Sequence, residues 1–114
     1  MTKLYLMNSP VMVFEGKSAV FRAEKISPEE ARRVFNSFNP EDVISAIGHE
    51  ATAKALSVIL GAEVKVNRTM VSFDFGDMAI VFRLKQRLPE GKVVESIEEL
   101  NEIGYELMLV TRVV

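Results

Sequence analysis

NPEDVISAIGHEATAKALSVILG, residues 39–61, is the stretch on which the fold turns. Asn39-Pro40-Glu41-Asp42 has the grammar of a helix start: a capping side chain, a proline at the first helical position and carboxylates facing the positive end of the helix dipole. Ile44, Ile47, Ala51, Ala55, Val58 and Ile59 then recur at helical spacing as far as Leu60, and Gly61 supplies a stop. The spacing predicts one long helix, the longest of the chain. On its projection Ser45, Gly48, His49 and Thr52 fall beside the apolar stripe. Three of these four are small, so the imidazole would stand in a shallow hollow open to a ligand. Gly48 costs about 1 kcal/mol relative to alanine in a helix interior, which asks for a reason. Close approach of a ligand is one; the other is packing, with Gly48 letting the helix meet a sheet and His49 filling the core edge.

Upstream, Leu4 and Leu6 alternate with Lys3 and Tyr5 and run into Asn8-Ser9-Pro10, a strand that places Asn8 at its end. Residues 18–26 alternate in the same way and form a second strand. Ser27-Pro28-Glu29-Glu30 opens a helix that runs to about Phe38. Downstream, residues 64–75 and 78–84 are β-rich and separated by Gly76-Asp77, which predicts a hairpin with Asn67 and Arg68 near the start of its first arm. Leu88-Pro89-Glu90-Gly91-Lys92 is a loop. Ser96-Ile97-Glu98-Glu99 resembles a capping box for a short helix that Gly104 ends near Ile103. Residues 105–113 are apolar on both faces, as in a strand inside a sheet. The order β-β-α-α-β-β-α-β implies a single α/β domain, with a mixed sheet of about five strands flanked by about three helices.

With 114 residues and 48% hydrophobic content, the chain suits one domain with its own core. It has no cysteine, so disulfides, thiolate metal sites and cysteine nucleophiles drop out, and one histidine leaves a transition-metal centre poorly supplied with ligands. We therefore expect neither metal nor cofactor. No apolar run reaches the roughly 18–20 residues of a membrane span, and the first residues are too soon broken by Asn8 for a signal peptide, which points to a cytoplasmic protein without a membrane partner. A net charge of −2 argues against a broad surface for long nucleic acid, but leaves open a local basic pocket for a small anion. Asn67-Arg68-Thr69 fits a glycosylation acceptor only by chance in such a chain. There is no glycine-rich nucleotide loop, P-loop or serine elbow.

What remains is His49 with arginines near loop ends. Arg68, Arg83 and Arg87 sit on the predicted hairpin or just beyond it, and charge-assisted hydrogen bonds of about 1.5–3 kcal/mol each would let two or three of them hold a small polyanion. Taken singly, each is as readily a solvated surface arginine. Arg83, among the apolar residues of its strand, has the strongest claim to a special role, and Glu90 reads as a turn residue.

Four segments together carry a resemblance: Lys3-Leu4-Tyr5-Leu6-Met7-Asn8, Ser45-Ala46-Ile47-Gly48-His49, Val66-Asn67-Arg68 and Gln86-Arg87-Leu88-Pro89-Glu90-Gly91-Lys92. In this order, over nearly the whole chain, they are similar to the signatures of the viral type III anti-CRISPR ring nucleases. The resemblance implies a homodimer that binds cyclic tetra-adenylate across its two-fold axis and cuts it to linear di-adenylate with 2′,3′-cyclic phosphate ends, antagonising type III CRISPR signalling. It implies that a ribose 2′-hydroxyl attacks the neighbouring phosphate, that His49 protonates the departing 5′-oxygen, and that Arg87 and Glu90 complete the catalytic set. Asn8 and Arg68 would contact the ring, and the ligand-binding candidates are Asn8, Ser9, Ser45, Gly48, Arg68 and Arg83. Two stand at departures from the family pattern: Arg83 replaces a glutamine of some members, and Ser9 is followed by Pro10-Val11-Met12 where the family often carries a serine shortly after the asparagine. The rival expectations are a protein that binds a cyclic oligonucleotide without cutting it, and an interaction domain whose histidine only packs.

Overall fold

The alternation of Leu4 and Leu6 with Tyr5 and Met7 gives β1 (Leu4–Met7) two apolar faces, and all four side chains are buried. Such a strand must lie inside a sheet with both faces covered. In the computed structural model, which describes residues 2–88 and 91–114, it does. β1 pairs in parallel with β4 (Met78–Leu84) on one side and with β3 (Val43–Ser45) on the other. β5 (Tyr105–Arg112) runs antiparallel between β4 and β2 (Phe21–Lys25), so the sheet has the order β2-β5-β4-β1-β3. The expected mixed five-stranded sheet with three helices is present, and the last strand lies inside it.

Helices α1 (Pro28–Asn36) and α3 (Ile97–Ile103) begin where the sequence grammar places a cap, whereas α2 (Glu50–Leu60) follows His49, whose side chain makes no capping bond. Ser27 forms a complete capping box with Glu30, and Ser96 Oγ accepts from Glu99 N at 3.2 Å. Gly104, at φ +86°, ends α3 in a conformation that favours glycine. One sheet face, through Leu4, Leu6, Ile80, Phe82, Leu107 and Leu109, packs against helix residues that include Ala31, Leu56, Ile59 and Leu100. Among the described residues, the opposite face carries no helix. Tyr5, Met7, Ala79, Val81 and Val110 pack there around Phe73, whose ring lies 5.3 Å from Tyr5 and 5.4 Å from Phe21. Among the described residues, no helix is long and apolar enough to cross a membrane.

Two expectations fail. Residues 39–61 are not one helix: Pro40–Asp42 forms a single 3-10 turn, Val43–Ser45 is β3, and helix resumes only at Glu50. β-branched Val43 and Ile44 suit either structure, and the open edge of β1 decides between them, with ladder bonding that continues through Ala46 N to Leu6 O at 2.8 Å. Nor do residues 64–75 form a hairpin arm with β4, because β1 and β5 already occupy both of its edges. Instead residues 65–67 lie along β3 and the turn after it. Asn67 N donates to Ile47 O at 2.9 Å, Asn67 Nδ2 to Ser45 O at 2.8 Å, and Ser45 Oγ to Lys65 O at 2.6 Å.

The Gly76-Asp77 turn is real, but it serves the start of β1. Asp77, only 1% exposed, accepts from Lys3 N at 2.9 Å and Asp74 N at 2.8 Å, with Lys3 Nζ at 3.5 Å. Burial opposes the Lys3 charge, yet its interactions with Asp74, Tyr5 and Asp77 outweigh that and hold its pKa above the ordinary lysine value. Removing the carboxylate would leave these part-buried donors without their acceptor. Asp77→Ala is expected to lower unfolding free energy by about 2–4 kcal/mol in urea titrations; a loss of under about 0.5 kcal/mol would show that water replaces it.

Candidate functional site

β3, β1 and β4 run parallel, so their carboxyl ends share one edge of the sheet, the edge at which open α/β sheets bind ligands. Each strand delivers a polar residue there. β1 ends into Asn8, β4 carries Arg83 and continues into Lys85-Gln86-Arg87, and β3 leads through Ala46-Ile47-Gly48 to His49 at the start of α2. Asn8, His49, Thr52, Arg83, Gln86 and Arg87 line one cleft of about 440 Å³. Larger hollows of about 830 and 710 Å³ border residues 63–66, but no histidine or arginine lines them. The reactive side chains meet in the smaller cleft.

His49 is not inside a helix, as the long-helix reading required; it is the residue that begins one. Its backbone is extended, at φ −124° and ψ 128°, and its carbonyl accepts from Ala53 N at 3.0 Å. The exposed imidazole makes no capping hydrogen bond and lines the cleft. The packing alternative, a histidine filling the core edge, does not describe this side chain. Ala51 and Thr52, in the first turn of α2, also line the cleft, where backbone N–H groups lack intrahelical acceptors and attract anions.

The predicted residues divide. Asn8, His49, Arg83 and Arg87 share the cleft. Arg68 lies outside its lining but against the turn that carries His49, with Nε donating to Gly48 O at 3.4 Å. Gly48 is explained by this contact and not by helix packing: a Cβ there would meet Arg68 Cγ at 3.3 Å and Nε at 3.4 Å. Ser45 lies outside the cleft too, its hydroxyl engaged with Lys65 O and Ile47 N. Ser9 is exposed and does not line the cleft; its carbonyl accepts from Val11 N. Glu90 lies outside the described residues. Past it, Lys92 Nζ meets Glu99 Oε2 at 2.7 Å, which ties the return of the loop to α3. The hydrogen bond with Glu99 raises the Lys92 pKa, and the same bond lowers that of Glu99. Sequence reasoning missed the α2 N-terminus as part of the site; its signal was Gly48 immediately before His49, a break in the helix it was assigned to. Among the described residues, no group of three or more His, Asp and Glu side chains comes together as a metal-ligand set.

The profile of STIV B116-like proteins matches residues 4–107. The chain belongs to the STIV B116-like family. Among its relatives, the uncharacterized protein ORF117 of Acidianus two-tailed virus is 44% identical over 110 residues, which cover 96% of this chain and 93% of that one. Uncharacterized protein 26 of a Sulfolobus islandicus filamentous virus is 42% identical over 107 residues, covering 93% and 88%. A bacterial relative, uncharacterized protein YddF of Bacillus subtilis, is 30% identical over 110 residues, covering 96% and 97%. The solved structure of B116 from Sulfolobus turreted icosahedral virus superposes with a TM-score of 0.81 at 26% identity, covering 95% and 97%. The sheet and helices described above are thus those of a family with members in archaeal viruses.

The contact between Gly48 and Arg68 can be tested directly. Gly48→Ala is expected to shift the Arg68 Nε–H resonance in NMR spectra while lowering stability by less than about 1 kcal/mol, because the crowding atoms belong to a flexible side chain. An unmoved Arg68 signal would contradict the close packing.

Proposed function

We propose that this member of the STIV B116-like family is a metal-independent ring nuclease that, as a homodimer, cuts cyclic tetra-adenylate into linear di-adenylate with 2′,3′-cyclic phosphate ends and so antagonises type III CRISPR signalling. The observation that carries the reading is the meeting of exposed His49 with Asn8, Arg83 and Arg87 in one cleft at the carboxyl ends of the parallel strands. The motif resemblance supplies the substrate.

The chemistry suits these groups. A ribose 2′-hydroxyl is already tethered beside its phosphate, so orientation supplies much of the rate. As its oxygen bonds to phosphorus, its proton passing to water, and the P–O5′ bond breaks, negative charge grows on the phosphoryl oxygens and on O5′. Arg87, with Arg83 at the rim and the free N–H groups of α2, meets the first; a proton from His49 meets the second. General acid catalysis of this kind contributes about 100- to 10,000-fold. The roles of Glu90 in the catalytic set and of Ser9 and Ser45 at the ligand rest on the resemblance alone. A cleft of about 440 Å³ is of the size that suits one drug-sized ligand, far smaller than a ring of four nucleotides. A second copy related by a two-fold axis would present the same groups to the opposite half of the ring.

Incubation with cyclic tetra-adenylate and excess chelator, followed by chromatography, is expected to yield linear di-adenylate; ring that is retained intact would make the protein a binding module, and absence of both binding and turnover would refute the assignment. His49→Ala is expected to slow single-turnover cleavage by about 100-fold or more with ring binding kept, and an unchanged rate in the folded variant would remove His49 from the mechanism. Arg68→Ala is expected to weaken ring binding about tenfold, as for loss of one charge-assisted phosphate contact, and equal affinity by calorimetry would contradict that role.

A further inference from the structure

Among the described residues, Arg83 is the cleft cation with a carboxylate set directly across from it. It pairs with Glu106 in the β4–β5 register, and both continue the helix-free face of the sheet, Arg83 after Ala79 and Val81, Glu106 before Met108 and Val110. Arg83 Nη2 lies 3.7 Å from Glu106 Oε1, an attraction but well outside the roughly 2.7–2.9 Å of a charge-assisted hydrogen bond. Arg83 is the more exposed partner, with 61% of its side chain accessible against 28% for Glu106. Beyond Glu106, Lys25, Lys85 and Asn101 line a polar hollow of about 460 Å³, which adjoins the cleft through Lys85. Among the described residues lining that hollow, the cleft and the small gap between Pro10 and Met108, Glu106 is the only carboxylate. It sits where Lys25 of β2 and Arg83 and Lys85, at and just past the end of β4, come together, a position suited to a phosphate.

We propose that Glu106 is an internal counter-ion that competes with the ligand phosphate for Arg83. In the free protein the carboxylate holds the guanidinium loosely at the cleft rim; an arriving phosphodiester takes over the guanidinium, and Glu106 is left to Lys25 and Lys85. Because the internal pair is long and not hydrogen-bonded, the exchange is easy, yet it holds ring affinity below what the cations alone would give. Restraint of this kind favours turnover, since interactions equally strong in the ground and transition states deepen binding without raising kcat. Glu106 is thus a positioning residue that acts through Arg83. The proposal rests on the ring-nuclease reading of the cleft.

The test measures binding of cyclic tetra-adenylate by calorimetry, on a His49→Ala background that keeps the ring intact. Glu106→Gln is expected to tighten binding about two- to fivefold, the scale of a partly exposed ion pair. The same change on an Arg83→Gln background is expected to alter affinity by less than half as much, since the competed cation is gone. Unchanged or weaker binding by Glu106→Gln overturns the proposal, as does equal tightening with and without Arg83, which would mark a general effect of removing negative charge. If the His49→Ala protein with native Arg83 and Glu106 binds no ring at all, the reading of the cleft fails first and this proposal falls with it.

Discussion

The placement of β1 between two parallel partners is the constraint on which the rest of the molecule depends. Its four buried side chains leave no polar face to set against solvent, so both flanks and both faces must be covered. β4 takes one flank and β3 the other, and the carboxyl ends of all three strands then come to one edge. Every cleft residue inherits its position from that alignment: Asn8 from the end of β1, Arg83 and Arg87 from β4, His49 from the turn after β3. Asp77 secures the opposite end, where its buried carboxylate binds the backbone of Lys3 just before β1 begins. A shift of β1 by one residue would exchange its two faces and withdraw Asn8 from the cleft.

The parts of the fold that were legible in the sequence are those whose signals are local. Ser27 and Ser96 announce helices because the capping side chain bonds within three residues, and Gly104 ends α3 for reasons internal to its own backbone. Residues 39–61 misled because Val43 and Ile44 fit a helix or a strand, and the choice is made by β1, some forty residues earlier in the chain. The β-rich segment 64–75 found partners, but at Ser45 and Ile47 and not on β4, whose edges were taken. His49, Asn8 and Arg87 were legible as candidates because their motifs are short and continuous. The relation of Glu106 to Arg83 was not, because it depends on the register between two strands that no local pattern specifies.

The correction at His49 changes its chemistry more than its position. In the middle of a helix the imidazole would have stood beside backbone groups already bonded to one another. At the start of α2 it stands beside N–H groups without helical acceptors, at the end of the helix where the dipole favours negative charge. An exposed imidazole and backbone N–H groups without helical acceptors are thereby combined in four consecutive residues. This local concentration of positive potential reconciles a chain of net charge −2 with the proposed phosphate ligand: the basic groups need not outnumber the acidic ones if the fold gathers them at one edge.

Assembly of the cleft is also bound to completion of the fold. Its residues come from positions 8, 49, 52, 83 and 87, and Arg68 is brought to Gly48 only by the bonds that Asn67 makes to Ser45 and Ile47. No contiguous half of the chain holds both His49 and Arg87 in place, since the first depends on β3 pairing with β1 and the second on β4 pairing with β1. The sheet must therefore close around β1 before any part of the site exists. Within that rigid frame, adaptability is left to the long side chains at the rim, Arg68 over a glycine and Arg83 in a loose ion pair. A ligand larger than one cleft would be met by backbone that is already fixed and by guanidinium groups that can still move, so most of the entropy of ordering is spent on folding and little is left for binding.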